Sequence, residues 1–108
     1  DKSKVKFQDF DTQVPLLNEQ NNGIIDLQLK ISEKEIYLFE IKIELYTNLT
    51  DNQPINYLKY LKDLNIENEN LFFIVPKGYY YLNKLYDCNI IYWEDILNEI
   101  RKNELDLI

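Results

Sequence analysis

The chain has 108 residues, of which 12 are Lys or Arg and 19 are Asp or Glu, so its formal net charge is −7 at pH 7. A chain of this length forms about one domain with one modest core. It contains no His and a single Cys, which excludes imidazole catalysis, a His-rich zinc site and an internal disulfide. No apolar run approaches the ~20 residues that span a bilayer, so we expect no membrane partner. The single Cys indicates a reducing compartment, which we expect to be the cytoplasm.

The acidic balance also limits how the chain can bind a polyanion. Proteins that hold nucleic acid by bulk charge are basic, and this chain is acidic. Contact with nucleic acid would therefore depend on individual lysines, on a bound metal or on another domain.

The amino-terminal part of the chain, residues 1–22, carries a weak strand signal that Pro15 interrupts and ends in a polar turn. Two strand-like runs follow, Gly23–Ile31 and Ile36–Ile43. Because only four polar residues separate these runs, we expect a β-hairpin.

Side chains alternate between the two faces of a strand. Four apolar side chains share one face of the second run: Tyr37, Phe39, Ile41 and Ile43. We expect this face to pack against the core. Glu40 and Lys42 lie on the other face. In the first run, Asp26 likewise lies on the face opposite its apolar neighbours.

The rest of the chain predicts helices alternating with strands. A helix from about Gln53 to Leu64 is followed by the apolar run Leu71–Val75, which is typical of a strand buried in a parallel sheet. A short helix at 79–87, a strand at 89–93 and a helix from Glu94 to about Leu105 complete the chain. The apolar residues expected to face inward from the two longer helices are Ile55, Leu58 and Leu61, then Ile96, Leu97, Ile100 and Leu105. This order predicts a single α/β domain over residues 1–108, with a mixed sheet of an antiparallel hairpin plus parallel strands flanked by helices.

Three charged residues stand inside the apolar strand runs: Asp26, Glu40 and Lys42. Acids are depleted in strands, and in a hairpin these three side chains can converge on one face. Two carboxylates can hold a hard cation such as Mg²⁺ (or Mn²⁺) through oxygen ligands. A bound cation can activate water and neutralise charge on a phosphate, while the lysine can position that water or stabilise the developing charge.

The register of the hairpin decides whether the two acids meet, because opposed residues point to the same face. Pairing Ile31 with Ile36 places Asp26 on the face opposite Glu40. Pairing the two acids directly needs an odd-length loop or a bulge near residues 32–35. We predict the second register, with the carboxyl groups as near neighbours and at least one of their pKa values raised.

Taken in order, these residues resemble the PD-(D/E)xK nuclease superfamily. The matching segments are Gly23-Ile-Ile-Asp26, Phe39-Glu40-Ile41-Lys42 and Gln53-Pro-Ile-Asn-Tyr57, within a resemblance that covers roughly residues 19–105. The resemblance implies a restriction-endonuclease-like core and metal-dependent hydrolysis of phosphodiester bonds in nucleic acid, with DNA favoured over RNA. It implies Asp26, Glu40, Lys42 and Gln53 as catalytic residues. It implies Asp26, Glu40 and the carbonyl of Ile41 as ligands of Mg²⁺ or Mn²⁺.

Two departures from the family pattern bear on this interpretation. Ile25 replaces the Pro of the family name, and no segment matches the long helix that usually precedes the first strand. Glu19 is a weak substitute for the Glu that this helix often contributes. We therefore expect a homodimer or a part of a larger chain.

Three further residues are predicted as weaker substrate contacts. Lys30 lies on the face of Asp26, and Tyr57 belongs to the helix motif. Lys77 follows Leu71–Val75, at the edge where open α/β sheets place their ligands.

Each feature also has a structural interpretation that stays open at this point. Asp26, Glu40 and Lys42 also fit a solvated sheet face with cross-strand ion pairs. The run of tyrosines at 79–81 fits stacking on bases as well as packing. At the level of function, the alternative is a non-catalytic module of the same fold that docks a protein or nucleic-acid partner. A third possibility is an unrelated α/β protein, in which Asp26 and Glu40 would lie far apart.

Overall fold

The computed structural model describes residues 6–18, 21–49, 53–67 and 70–106. In it five strands form one sheet, in the order in which they occur along the chain. The strands are β1 (Phe10–Asn18), β2 (Asn21–Ser32), β3 (Glu35–Ile41), β4 (Leu71–Val75) and β5 (Asn89–Tyr92). The helices are α1 (Ile55–Asp63), between β3 and β4, and α2 (Trp93–Asp106), after β5, with short 3-10 helices at Phe7–Asp9 and Leu82–Leu85.

The sheet is mixed, as the sequence predicts. β1, β2 and β3 pair antiparallel, whereas β3, β4 and β5 pair parallel. The change of direction follows from the connections, because a tight turn can join only antiparallel strands and a parallel pair needs a crossover. Helix α1 lies in the crossover from β3 to β4, so the α/β class is confirmed.

The structure corrects the interpretation of the amino-terminal segment. Pro15 does not interrupt a strand there: it lies inside β1 and pairs with Ile24. β1 is at the edge of the sheet, where a residue without an N–H can be tolerated. The predicted polar turn is also shorter, because Asn18 already pairs with Asn21, and Glu19 lies outside the described residues.

The predicted packing face of β3 is wrong. Ile36, Leu38 and Glu40 are buried, whereas Tyr37, Phe39 and Ile41 are only partly buried, and Ile43 is 76% exposed. Helix α1 belongs to the side that Leu38 faces, since its buried residues Tyr57 and Leu61 share one core cluster with Leu38. The charged face of β3 is therefore also its core face.

The core cluster joins side chains from the sheet, α1 and the segments after β4. Its buried members are Ile25, Ile36, Leu38, Tyr57, Leu61, Ile66, Leu71, Phe73, Val75, Tyr79 and Leu85. On the other side of the sheet, the rings of Phe39 and Phe72 stack with their centroids 5.2 Å apart.

The helices bury narrower stripes than the sequence predicts. In α1, Leu58 is partly buried, but Ile55 is exposed and the buried pair is Tyr57 and Leu61. In α2, Ile96 is partly buried, whereas Leu97 and Ile100 are about half exposed; the side chain of Leu105 lies outside the described residues. The expected helix at 79–87 is reduced to one 3-10 turn. Neither α-helix in the described ranges is long and apolar enough to cross a membrane.

Truncating Leu38 and Ile43 tests which face of β3 carries the core. We expect Leu38→Ala to lower the free energy of unfolding by about 2–5 kcal/mol, because it leaves a cavity at a fully buried position. Ile43→Ala is the matched control and should change it by no more than about 0.5 kcal/mol. Urea unfolding followed by circular dichroism measures both values, and a larger loss in Ile43→Ala would contradict the assignment of the core face.

Candidate metal and catalytic site

The register between β2 and β3 sets Asp26 opposite Glu40. Leu27 pairs with Phe39 and Leu29 pairs with Tyr37, so the next positions in register are Asp26 and Glu40. The register shifts by one residue between Lys30 and Ser32, which is the bulge that this pairing requires. The charge of Asp26 contributes to the raised pKa of Glu40, so the two carboxyl groups lie close together. The sequence-based prediction that they are neighbours is confirmed.

Asp26 is held in place by both neighbouring strands. The backbone N–H of Ile41 donates to its Oδ2 atom at 2.8 Å, and the side-chain amide of Gln13 donates to Oδ1 at 3.4 Å. The bond from Ile41 fixes the carboxylate beside the last peptide of β3. Ile41 thus lies at the site, although the role of its carbonyl as a metal ligand stays a prediction.

Glu40 lies at the buried centre of the site. Its Oε2 atom accepts a hydrogen bond from Gln53 Nε2 at 2.8 Å and lies 3.5 Å from Lys42 Nζ. Only 7% of the side-chain surface of Glu40 and of Lys42 is exposed. Its Oε1 atom is buried and has no hydrogen-bond partner among the described residues.

Gln53 reaches Glu40 from the segment that leads into α1. Its side-chain amide also contacts the hydroxyl of Tyr57 at 2.6 Å, and that hydroxyl donates to the carbonyl oxygen of Ile24 in β2 at 3.3 Å. Burial raises the pKa of Tyr57 to about 12, and the charge of Glu40 adds to this effect. Tyr57 therefore stays neutral, ties α1 to β2 and lies, almost fully buried, where it can position Gln53. Its role as a substrate contact stays a prediction.

The two predicted lysine contacts lie outside this cluster. Lys30 is four residues from Asp26 along β2, about 13 Å, and forms an ion pair with Glu33 at 3.2 Å. Lys77 lies just beyond the carboxyl end of β4, at the same end of the sheet as Lys42, which follows the carboxyl end of β3. Its Nζ atom pairs with Asp95 at 3.4 Å. Both amines are thus engaged elsewhere, and the structure does not bring Lys30 to the carboxylates.

Two contacts of the site were not predicted from the sequence. Gln13 reaches Asp26 from β1, the strand that sequence patterning does not identify, and it has a φ angle of 52°. Trp93 donates its indole N–H to the carbonyl oxygen of Lys42 at 2.9 Å, which fixes the backbone just after β3. The sequence gives no signal for Gln13, whereas a tryptophan at the end of a strand could have suggested a polar anchor.

The effect of placing Asp26 beside Glu40 is seen in the pKa of Glu40. The pKa of this carboxyl group is raised to about 7: burial is the largest cause and Asp26 also raises the pKa, while Lys42 and Gln53 lower it. The expectation that one of the two carboxyl groups has a raised pKa is confirmed.

The residues present fit a small divalent cation. Carboxylate oxygens are the ligands that Mg²⁺ and Mn²⁺ prefer, and a buried, unpartnered oxygen such as Oε1 of Glu40 is costly unless something satisfies it. The described residues contain no group of three or more His, Cys, Asp or Glu side chains that could hold a metal. A metal between Asp26 and Glu40 would therefore complete its shell with backbone carbonyl, water or substrate oxygens, which is usual for Mg²⁺.

The raised pKa of Glu40 predicts how stability depends on pH without metal. In the folded chain this group binds its proton up to about pH 7, against a usual value of 4.5. Its contribution to stability is therefore complete below about pH 4.5 and is lost as the pH rises through 7. Relative to Glu40→Gln, the wild type should lose stability between pH 5 and pH 7, by at most about 1.4 kcal/mol per pH unit.

Urea unfolding in EDTA over this pH range measures the effect, with Glu33→Gln as the control for loss of one exposed carboxylate. A constant difference in stability between the wild type and Glu40→Gln from pH 5 to 8 would contradict the burial of a titrating Glu40.

Comparison of the chain with known proteins finds no match among family models, curated sequences or solved structures. The chemistry of the site is therefore interpreted from its own geometry: two adjacent carboxylates, one lysine and one glutamine at the carboxyl end of β3.

Proposed function

We propose that the chain is a metal-dependent nuclease that hydrolyses phosphodiester bonds, with DNA as the favoured substrate. The observation that carries this proposal is the meeting of Asp26 and Glu40 on adjacent strands, with Lys42 3.5 Å from Glu40 and one buried Glu40 oxygen left without a partner among the described residues. A sheet face used only for packing would gain nothing from this arrangement, since a buried Glu40 beside the partly buried carboxylate of Asp26 is unfavourable.

Each residue of the site has a distinct role in this proposal. Asp26 and Glu40 hold Mg²⁺ or Mn²⁺, together with the carbonyl of Ile41. The bound cation supplies Lewis-acid chemistry, which lowers the pKa of water and neutralises charge on the phosphate. Lys42 places a compact positive charge beside the reacting phosphate, and Gln53 orients the Glu40 carboxylate through its hydrogen bond.

We further propose that the sheet is a restriction-endonuclease-like core. The support is the placement of the motif residues on their elements: an acid on β2, Glu-x-Lys at the end of β3 and Gln just before α1. α1 then lies in the crossover to the parallel strand β4. The acidic charge of the chain is consistent with this function only if a metal or a partner offsets it at the site, because the carboxylates alone repel phosphate.

Removing the charge of Lys42 while keeping its bulk is the sharpest test. Lys42 lies on the core face with 7% of its side chain exposed, so truncation to Ala would confuse activity with packing. We expect Lys42→Met and Asp26→Asn each to lower cleavage by at least about 100-fold. Lys42→Arg should not restore full activity, since a planar fork does not replace a point charge.

The assay uses single-stranded, duplex and branched DNA and RNA substrates, with Mg²⁺ and Mn²⁺. Lys30→Met is the matched control, because it makes the same substitution at an exposed lysine outside the site. Cleavage that survives in both Lys42→Met and Asp26→Asn would contradict the proposed site. Metal-independent binding without cleavage of any substrate would favour the alternative, a non-catalytic docking module.

A further inference from the structure

A row of tyrosine rings lies beyond the carboxyl ends of β3 and β4. Gly78 adopts a left-handed conformation, with φ of 84°, and turns the chain just after β4. The backbone N–H of Tyr80 then donates to the carbonyl oxygen of Leu45 at 2.8 Å, and the hydroxyl of Tyr79 donates to the carbonyl of Thr47. These bonds fasten the tyrosine segment to the loop that follows Lys42.

Three tyrosines form what we call the tyrosine row: Tyr46, Tyr80 and Tyr81. The rings of Tyr46 and Tyr80 lie 5.5 Å apart, and those of Tyr80 and Tyr81 lie 4.9 Å apart, edge to face. Tyr46 is 71% exposed and Tyr80 is 63% exposed. The Nζ atom of Lys84 lies 5.4 Å from the centre of the Tyr81 ring. Two exposed aromatic rings and a third, partly buried one therefore lie in contact, next to one cation.

Lys84 and Tyr79, which flank the tyrosine row, connect it to the carboxylate site. Lys84 lines a cleft of about 340 Å³ that Gln53 also lines, and Gln53 donates to Glu40. Tyr79, next in sequence to the row, lies close enough to Glu40 for the carboxylate charge to contribute to its raised pKa, after burial and the neighbouring Tyr81. A strand of nucleic acid that contacts Lys84 beside the row would therefore lie at the cleft that Gln53 lines.

We propose that the tyrosine row stacks on unpaired bases, so that the substrate of this site is single-stranded nucleic acid or a single-stranded segment. This inference rests on the proposed function. Aromatic stacking needs no bulk positive charge, which suits a chain of net charge −7. Duplex bases are already stacked on each other and offer no free faces to the row, while Lys84 provides one contact for a phosphate.

Binding of a fluorescently labelled ten-residue oligothymidylate, followed by anisotropy with Ca²⁺ in place of Mg²⁺, tests the inference. An abasic oligonucleotide of the same length keeps the phosphates and removes the bases. We expect the wild type to bind it at least about 100-fold more weakly than oligothymidylate, because all stacking is lost, and Tyr46→Ala and Tyr80→Ala each to weaken oligothymidylate binding about tenfold. Tyr80→Phe should bind like the wild type, because the ring is kept.

Ile31→Ala is the control, since it truncates another exposed apolar side chain at the far β2–β3 hairpin and should leave binding unchanged. Salt dependence of binding should be shallow, because few phosphates are neutralised. Equal binding of the abasic strand, unchanged binding in both Ala variants, or no binding of oligothymidylate would each overturn the inference.

Cleavage separates this inference from the proposed function. If the wild type cleaves duplex and single strands equally and Tyr80→Ala keeps that activity, the nuclease proposal stands and the stacking role is wrong. If base-dependent binding is seen but no substrate is cleaved, the stacking surface stands and the nuclease proposal is wrong.

Discussion

The main constraint on the site is the unfavourable free energy of holding two carboxylates side by side on the core face of a sheet. Burial is the largest cause of the raised pKa of Glu40, and the neighbouring Asp26 adds to it, because like charges at short distance are unfavourable in a medium of low effective dielectric. The protein offsets part of this unfavourable free energy with the backbone N–H of Ile41 on Asp26, and with Lys42 and Gln53 on Glu40. The remainder is visible in the raised pKa of Glu40 and in its buried Oε1 atom, which has no hydrogen-bond partner in the described part of the chain. A divalent cation would relieve both.

Much of the surrounding fold serves to hold the two acids at one place. The bulge between Lys30 and Ser32 sets the register that brings Asp26 to Glu40. The ladder bond from Lys42 to Ile74 and the indole bond from Trp93 to Lys42 fix the end of β3. Tyr57 joins α1 to β2 under Gln53. Packing, hydrogen bonding and the crossover helix therefore converge on the few residues that are costly for stability, which is typical of functional sites.

The sequence predicted the mixed sheet, the limits of β4 and the proximity of Asp26 and Glu40, because each of these follows from local pattern or from strand parity. It failed on the core face of β3. Each face of β3 carries an apolar pair, Ile36 with Leu38 on one face and Tyr37 with Phe39 on the other. Glu40 and Lys42 share the face of Ile36 and Leu38, and their charges suggest that this face is exposed to solvent. Only the position of α1, a tertiary contact, decides between the two faces.

Three other failures have similar causes. β1 was missed because Pro15 argues against a strand, and only its place at the sheet edge makes Pro15 tolerable. Gln13 could not be predicted as a partner of Asp26, since a cross-strand contact depends on a strand that sequence patterning did not identify. The burial of Tyr57 in place of Ile55, beside the correctly predicted Leu61, likewise depends on how α1 is rotated against the sheet, which the apolar stripe alone leaves open.

The most direct test of the central claim, that Asp26 and Glu40 together hold a divalent cation, is calorimetric titration of Mn²⁺ into the protein at pH 8. The account predicts saturable binding of one ion by the wild type and by Glu33→Gln, which loses one exposed carboxylate away from the site. It predicts that binding is lost in Asp26→Asn, while urea unfolding shows that this variant stays folded. Equal binding by the wild type and Asp26→Asn would contradict it.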